Sequence, residues 1–170
     1  MVMGALEVLH IVCFGNFWHG DDGIGVHVFH RLGETRRLPP HVKIFDAGVA
    51  GLSALEYFED CSKALVVDAM KGYGQIGSAH RLRLEDIDTP KQGCSMHALG
   101  VDYLSAVLPI LFEGRTMPEV VVIGAEIGEV RPFSCKLSHR LEAAVDRMIR
   151  LIELEILVSE NHWGPNPKGR

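Results

Sequence analysis

Aromatic residues are scarce in this 170-residue chain, at 7% of positions, so a hydrophobic fraction of 47% must build its core mainly from aliphatic side chains. No apolar run approaches the roughly 20 residues that a bilayer-spanning helix needs, so no membrane insertion is expected. A positive charge excess is also missing. Seventeen Lys and Arg stand against 22 Asp and Glu, for a formal net charge of -5. Phosphate backbones are held by a basic footprint, so nucleic acid is not an expected partner. The four cysteines, Cys13, Cys61, Cys94 and Cys135, lie far apart with no C-x-x-C pair. A chain of this length buries a core without cross-links, and residues 1–7 carry no positive charge ahead of the first apolar run. Both features predict a reduced, cytoplasmic protein without a signal peptide, not a secreted disulfide scaffold.

Strand and helix patterns alternate along the chain. Val8-Leu9-His10-Ile11-Val12-Cys13-Phe14 is short, apolar and rich in β-branched residues, and it stops at Gly15. A helix is predicted from Ile24 to about Arg31, then a strand over residues 42–46, a turn, and a short helix carrying Leu52, Leu55, Tyr57 and Phe58. Ala64-Leu65-Val66-Val67-Asp68 is apolar on both faces, as a central parallel strand should be. Residues 78–84 predict an edge strand, and Leu99, Tyr103, Leu104, Val107, Leu108 and Leu111 follow helical spacing. Val120-Val121-Val122-Ile123 reads as a strand ending at Gly124. Leu137, Leu141, Val145, Met148, Ile152 and Ile156 form one helical stripe, with Ser138 as its candidate N-cap. The expected architecture is α/β: three layers, a mostly parallel twisted sheet of about five strands, and helices on both faces. Residues 1–158 are expected to form a single domain, and residues 159–170 a disordered tail.

Ligands of such sheets bind beyond the carboxyl ends of the strands, and acids gather there. The first strand leads into Gly15-Asn16-Phe17-Trp18-His19-Gly20-Asp21-Asp22-Gly23-Ile24-Gly25. The interval from Gly15 to Gly20 has P-loop spacing, but Asp21 and Asp22 stand where Lys and Ser or Thr are required, and two carboxylates repel phosphate. Phe17 likewise replaces the second Gly of a dinucleotide fingerprint. What acids can do at that position is hold a cation or act as a base. Asp46 ends the second strand and Asp68 the third. Each alone reads as a turn or helix cap; three at equivalent ends, joined by His97 at a helix start, suit a first-row transition metal.

These residues resemble the motifs of the hydrogenase maturation proteases. Gly15-Asn16 with Gly20-Asp21-Asp22-Gly23-Ile24-Gly25 is similar to the N-terminal signature of that family. Asp46-Ala47-Gly48-Val49-Ala50-Gly51, Val66-Val67-Asp68-Ala69 and Met96-His97-Ala98-Leu99-Gly100 resemble the next three motifs, in order. With the later strand and helix the likeness extends to about Leu157. The resemblance implies an endopeptidase that removes the C-terminal extension of a nickel-loaded [NiFe] hydrogenase large-subunit precursor. It implies that Asp22, Asp68 and His97 contact the metal and that Asp46, with Asp22, serves cleavage. It also implies no permanent cofactor: the nickel arrives on the precursor, and cadmium or zinc would substitute for it. A monomer is expected. Two routes stay open. The metal polarises the scissile carbonyl or a water, or it only positions the peptide while an acid acts as general base. Two other functions compete, a non-cleaving checkpoint that binds the same precursor and an α/β peptidase with another substrate. Residues 124–132 depart from the Pro-containing turn common after the family's last strand, and Asp22 stands where some relatives carry Glu.

Other residues read more plainly. His27 and His30 share a helix face and are expected at its surface or rim, while His19 is an auxiliary candidate beside the acids. Phe17 and Trp18 are either core residues or a peptide-binding lip. Cys94, three residues before His97, lacks a nucleophile signature, and Ser53 lacks the following Gly of a nucleophile elbow. Arg140, Arg147, Arg150 and Glu153 are expected to form a solvated helix face.

Overall fold

In the computed structural model, which describes residues 8–35, 37–87 and 101–161, the apolar segments become five strands. They are β1 (Leu9–Phe14), β2 (Val42–Gly48), β3 (Lys63–Met70), β4 (Ala79–Arg83) and β5 (Glu119–Glu126). Their order in the sheet is β2-β1-β3-β5-β4. Four run parallel, and β4 joins β5 antiparallel at the edge. Every residue of β1 is buried, as are all of β5 after Glu119, because central parallel strands are covered on both faces. The edge strand β4 is only partly covered and carries Arg81 and Arg83, charges that discourage further strand pairing.

Among the described residues three α-helices, α1 (Ile24–Thr35), α2 (Val101–Leu111) and α3 (His139–Asn161), complete the layers. On one face Ile24, Val28 and Leu32 of α1 and the Leu141, Val145, Met148, Ile152 stripe of α3 pack on alternate residues of β1, β3 and β5. On the other face Leu104 and Leu108 of α2, with Ala54 and Phe58 of the 3-10 helix Gly51–Phe58, cover Val12, Val66 and Val122. The expected three-layer α/β sheet is therefore found.

Several boundaries differ from the sequence expectation. Helix α1 continues past Arg31 to Thr35, because burial of Val28 and Leu32 outweighs the modest helix penalty of β-branched residues. Strand β5 runs through Gly124 to Glu126. Gly124 pairs with Asp68, and the Met70 side chain fills the space that a Cβ there would need. Helix α3 runs to Asn161 and takes in the first three residues of the expected tail, with Ser159 buried and its Oγ donating to the Ile156 carbonyl at 2.6 Å. The rest of that tail lies outside the described residues. Arg147 is not simply solvated: it donates to the Gly77 carbonyl at 3.0 Å and ties α3 to the β3–β4 loop.

At the opposite end of the sheet from the strand-end acids, Glu155 of α3 is buried and paired with Lys63 at 2.6 Å and with Arg81. Burial pushes the Glu155 carboxyl up, but hydrogen bonds and charge from Arg81 and Lys63 outweigh it and hold the group below the ordinary Glu value. A depressed folded-state pKa stabilises the fold above the unfolded carboxyl pKa, and that contribution is lost as pH falls through the folded value. Glu155→Ala leaves the buried Lys63 with the exposed Glu119 carboxylate, 3.5 Å away, and is expected to lower stability by about 2 kcal/mol at neutral pH. Urea unfolding should show the gap between variant and wild type closing on acidification below the ordinary carboxylate range.

Candidate active site

The strand order sends the chain from β1 outward to β2 and then back across to β3. This reversal opens a crevice at the carboxyl ends of those strands, where ligands of such sheets bind. Cys13, near the end of β1, pairs with Asp46 on one side and Val67 on the other. Asp46 and Asp68 therefore emerge on either side of the β1 terminus. Their shared neighbourhood is registered by the Cys13 thiol, which is fully buried. Its pKa is driven up first by that burial and then by the negative charge of both Asp46 and Asp68.

Glycines bring the third acid onto the same edge. Gly15 has a φ of +138°, and a Cβ there would press into the Asp22 carbonyl oxygen and lie 3.2 Å from Gly23 Cα. At Gly25 a Cβ would sit 2.7 Å from the Val67 carbonyl oxygen and closer still to that of Phe14. The 3-10 turn Gly20–Gly23 and the first turn of α1 can thus lie directly on the ends of β1 and β3, carrying Asp22 with them. The second motif is fastened to the first, since Gly15 N–H donates to the Gly48 carbonyl at 3.0 Å. Gly48 N–H in turn donates to Asp46 Oδ1 at 3.1 Å, and Ala69 N–H to Asp68 Oδ1 at 2.7 Å. Each bond orients a carboxylate without neutralising it. Asp46 is exposed, whereas Asp22 and Asp68 are half-buried.

Asp21 and Asp22 are adjacent in sequence but have different work. Asp21 Oδ1 accepts the Ser138 N–H at 2.6 Å and Oδ2 accepts the Ser138 hydroxyl at 2.9 Å. Ser138 precedes α3, and its carbonyl accepts the Leu141 and Glu142 amides. It therefore opens the helix as expected, but its side chain is turned to Asp21 instead of to a helix N–H. Asp21 locks the first motif to α3, and Asp22 is the acid of the pair left for the strand-end site.

His97 and Cys94 lie outside the described residues. Among the described residues no three His, Cys, Asp or Glu side chains are grouped to hold a metal ion, so Asp22, Asp46 and Asp68 alone do not make a closed site. Carboxylates at neighbouring strand ends gain from an arriving cation. Two oxygen ligands with open positions suit a metal that brings further ligands of its own.

Sequence reasoning missed Glu126. It ends β5, is buried, and accepts the amides of Gly72 and Tyr73 at 2.8 and 2.9 Å. Those bonds hold the loop that leaves β3 just beyond Asp68. The available signal was a carboxylate following an unbroken apolar strand, where burial demands donors. His27 is half-buried, stacks on Phe17 and engages the Cys135 backbone, so it is more than a rim residue; burial lowers its pKa against that hydrogen bond. His30 is exposed, as expected. His19 forms a backbone bridge with Ser134. Phe17 and Trp18 divide the two readings offered for them: Phe17 is half-buried, and Trp18 is 65% exposed. A cavity of about 590 Å³ between α1 and α3 is lined by His27, His30, Cys135, Lys136 and His139, but by none of the three acids.

A mostly parallel α/β sheet with acids at neighbouring strand ends defines the class of protein, one built to act on a ligand at the carboxyl edge of its sheet. The HycI model of the hydrogenase maturation proteases matches residues 26–155, a span that includes Asp46, Asp68 and His97 and begins just after Asp22. A Methanocaldococcus jannaschii protein assigned to the hydrogenase maturation proteases is 32% identical over 154 residues, covering 88% of this chain and 96% of its own length. The hydrogenase maturating endopeptidase HybD from Escherichia coli has the same fold, with a TM-score of 0.74 at 25% identity, over 89% of this chain and 93% of that one. The [NiFe] hydrogenase maturation protease HycI from Thermococcus kodakarensis superposes with a TM-score of 0.65 at 26% identity, over 91% and 94% of the two chains. The chain belongs to the hydrogenase maturation protease family and is by that membership a hydrolase, an endopeptidase. Among the described residues no helix is long and apolar enough to cross a membrane.

Proposed function

We propose that this enzyme removes the C-terminal extension of a nickel-loaded [NiFe] hydrogenase large-subunit precursor, in the cytoplasm and as a monomer. The nickel is part of the substrate. Asp22, Asp68 and His97 meet it, and cadmium or zinc would occupy the same place; the protease keeps no permanent cofactor. The observation that carries this reading is the placement of acids at neighbouring strand ends: Asp46 and Asp68 flank the end of β1, and the Gly15–Asp22 contact seats the first motif against that end.

Asp46 is the acid best suited to be the general base. It is exposed to water, and its orientation is set by the Gly48 amide. A water that gives its proton to Asp46 adds to the scissile carbonyl carbon. The C–N bond then breaks, the released amine takes up a proton, and a new carboxylate remains on the mature subunit. Asp22 and Asp68 fix the substrate so that this carbonyl lies within reach.

The test is incubation of the purified protein with nickel-loaded precursor, followed by intact-mass analysis. Wild type is expected to shorten the precursor at its C-terminus and to leave nickel-free precursor whole. Asp46→Asn is expected to bind the loaded precursor with wild-type affinity and to cut it at least about 100-fold more slowly, the lower end of a general base's typical contribution. A wild-type protein that binds its matched precursor and never shortens it would be a checkpoint, and the proposal would be wrong.

A further inference from the structure

Two exposed aromatic residues stand beside the acid edge. Trp18 follows β1, four positions before Asp22, and is 65% exposed; Phe133, between β5 and α3, is 96% exposed. Their loops are zipped together. Ser134 N–H donates to the Trp18 carbonyl at 3.0 Å, and Gly20 N–H donates to the Ser134 carbonyl at 2.7 Å. The Trp18 ring meets the Phe17 ring edge to face at 5.6 Å, and Phe17 stacks on His27 at 5.4 Å, so Trp18 is braced from behind. Phe133 has a φ of +60°, a left-handed conformation that a bulky residue rarely adopts. In the isolated chain this phenylalanine combines an unfavourable backbone with a side chain left almost wholly in water.

Resting on the precursor-processing reading, we infer that Trp18 and Phe133 form a docking lip for the precursor polypeptide, gripping an apolar side chain with a carboxylate beside it, in the segment next to the cut. Three features select this occupant. The lip is continuous with the catalytic edge through the turn that carries Asp22, so a chain held there leads directly to the acids. Exposed Arg131 and Lys136 flank Phe133, and they complement an acidic group next to the apolar anchor. A second copy of this chain is disfavoured, because pairing two such edges would set Asp22, Asp46 and Asp68 of each against those of the other, in a protein already at net charge -5. Exposed aromatics on a braced support are the side chains that carry most binding energy at polypeptide interfaces.

The experiment compares wild type, Phe133→Gly and Trp18→Ala, with Leu154→Ala as a control at an exposed position on α3. Each is assayed for thermal unfolding, for sedimentation, and for KM and kcat on nickel-loaded precursor. Glycine accepts the φ of Phe133 without strain, so Phe133→Gly should unfold at or above the wild-type temperature. Its KM should nevertheless rise at least about tenfold with kcat within about twofold, the pattern of lost uniform binding. Trp18→Ala should raise KM similarly, and Leu154→Ala should change neither constant. Wild-type cleavage with both lip variants keeping the wild-type KM overturns the lip and leaves the protease reading intact. The lip also falls if wild type sediments as a dimer that Phe133→Gly dissociates without raising KM. A wild-type protein that neither binds nor cuts the precursor overturns both readings together.

Discussion

Asp68→Asn is expected to stop precursor processing while leaving the fold in place. The amide is nearly isosteric with the carboxylate, and its oxygen can still accept the Ala69 N–H that orients residue 68. The change also removes one of the two charges acting on the buried Cys13 thiol. Stability should therefore stay within about 1 kcal/mol of wild type. On the proposed function, what disappears is a negative oxygen donor for the incoming metal. Replacing groups that merely support a ligand typically lowers metal affinity or activity by about 10–100-fold, so replacing the ligand itself should lower processing at least about 100-fold. Asp22→Asn and His97→Ala should behave alike. Asp21→Asn should not: it weakens the paired contacts to Ser138, lowering stability by about 1 kcal/mol while folded molecules keep cutting. Initial rates by mass spectrometry, read beside urea unfolding curves, separate the two adjacent acids. Normal processing by Asp68→Asn would remove residue 68 from the site.

Gly25→Ala is expected to destabilise the protein by about 3 kcal/mol or more, although alanine is the better helix former. Helix propensity favours the substitution by about 1 kcal/mol. Against it stand two backbone carbonyls in the centre of the sheet, those of Phe14 and Val67, both within 3 Å of the new Cβ. Neither can retreat without breaking strand pairing, and overpacking against rigid neighbours typically costs about 1–3 kcal/mol, more where backbone must move. The steric term wins. Gly33→Ala, later in the same helix with no atom near its would-be Cβ, isolates the propensity term and should stabilise by up to about 1 kcal/mol. Equal stabilities for the two variants in urea would show that α1 does not rest on the strand ends as described. Because the same contact seats Asp22, Gly25→Ala should also slow processing in the fraction that remains folded.

The patterns that proved most legible were those set by solvent. The apolar runs at Val8–Phe14, interrupted only by His10, and at Ala64–Val67 and Val120–Ile123 mark strands covered on both faces, and the stripe from Leu141 to Ile156 marks a helix covered on one. Element ends were less legible, because contacts distant in sequence decide them: Met70 fills the space at Gly124 that lets β5 continue, and Ser159 is buried and bonds back to Ile156. In the site, the acids were visible as charges ending apolar strands, but their division of labour was not. Asp21 and Asp22 differ only in which one meets Ser138, more than a hundred residues away. Glu126 and Phe133 carried weaker signals, since the partners of a carboxylate and the φ of a phenylalanine cannot be read from residue type.

Taken alone, the order of residues determined the alternation of strands and helices, the aliphatic core and the four motifs that place the chain in its family, because each depends on local composition and short-range periodicity. Only the tertiary structure decided that Asp46 and Asp68 flank the end of β1, that Asp21 belongs to α3, and that Trp18 and Phe133 share one lip. Those facts depend on strand order and on backbone approach across the sheet, where glycine-sized gaps and hydrogen bonds between distant segments choose which side chains become neighbours.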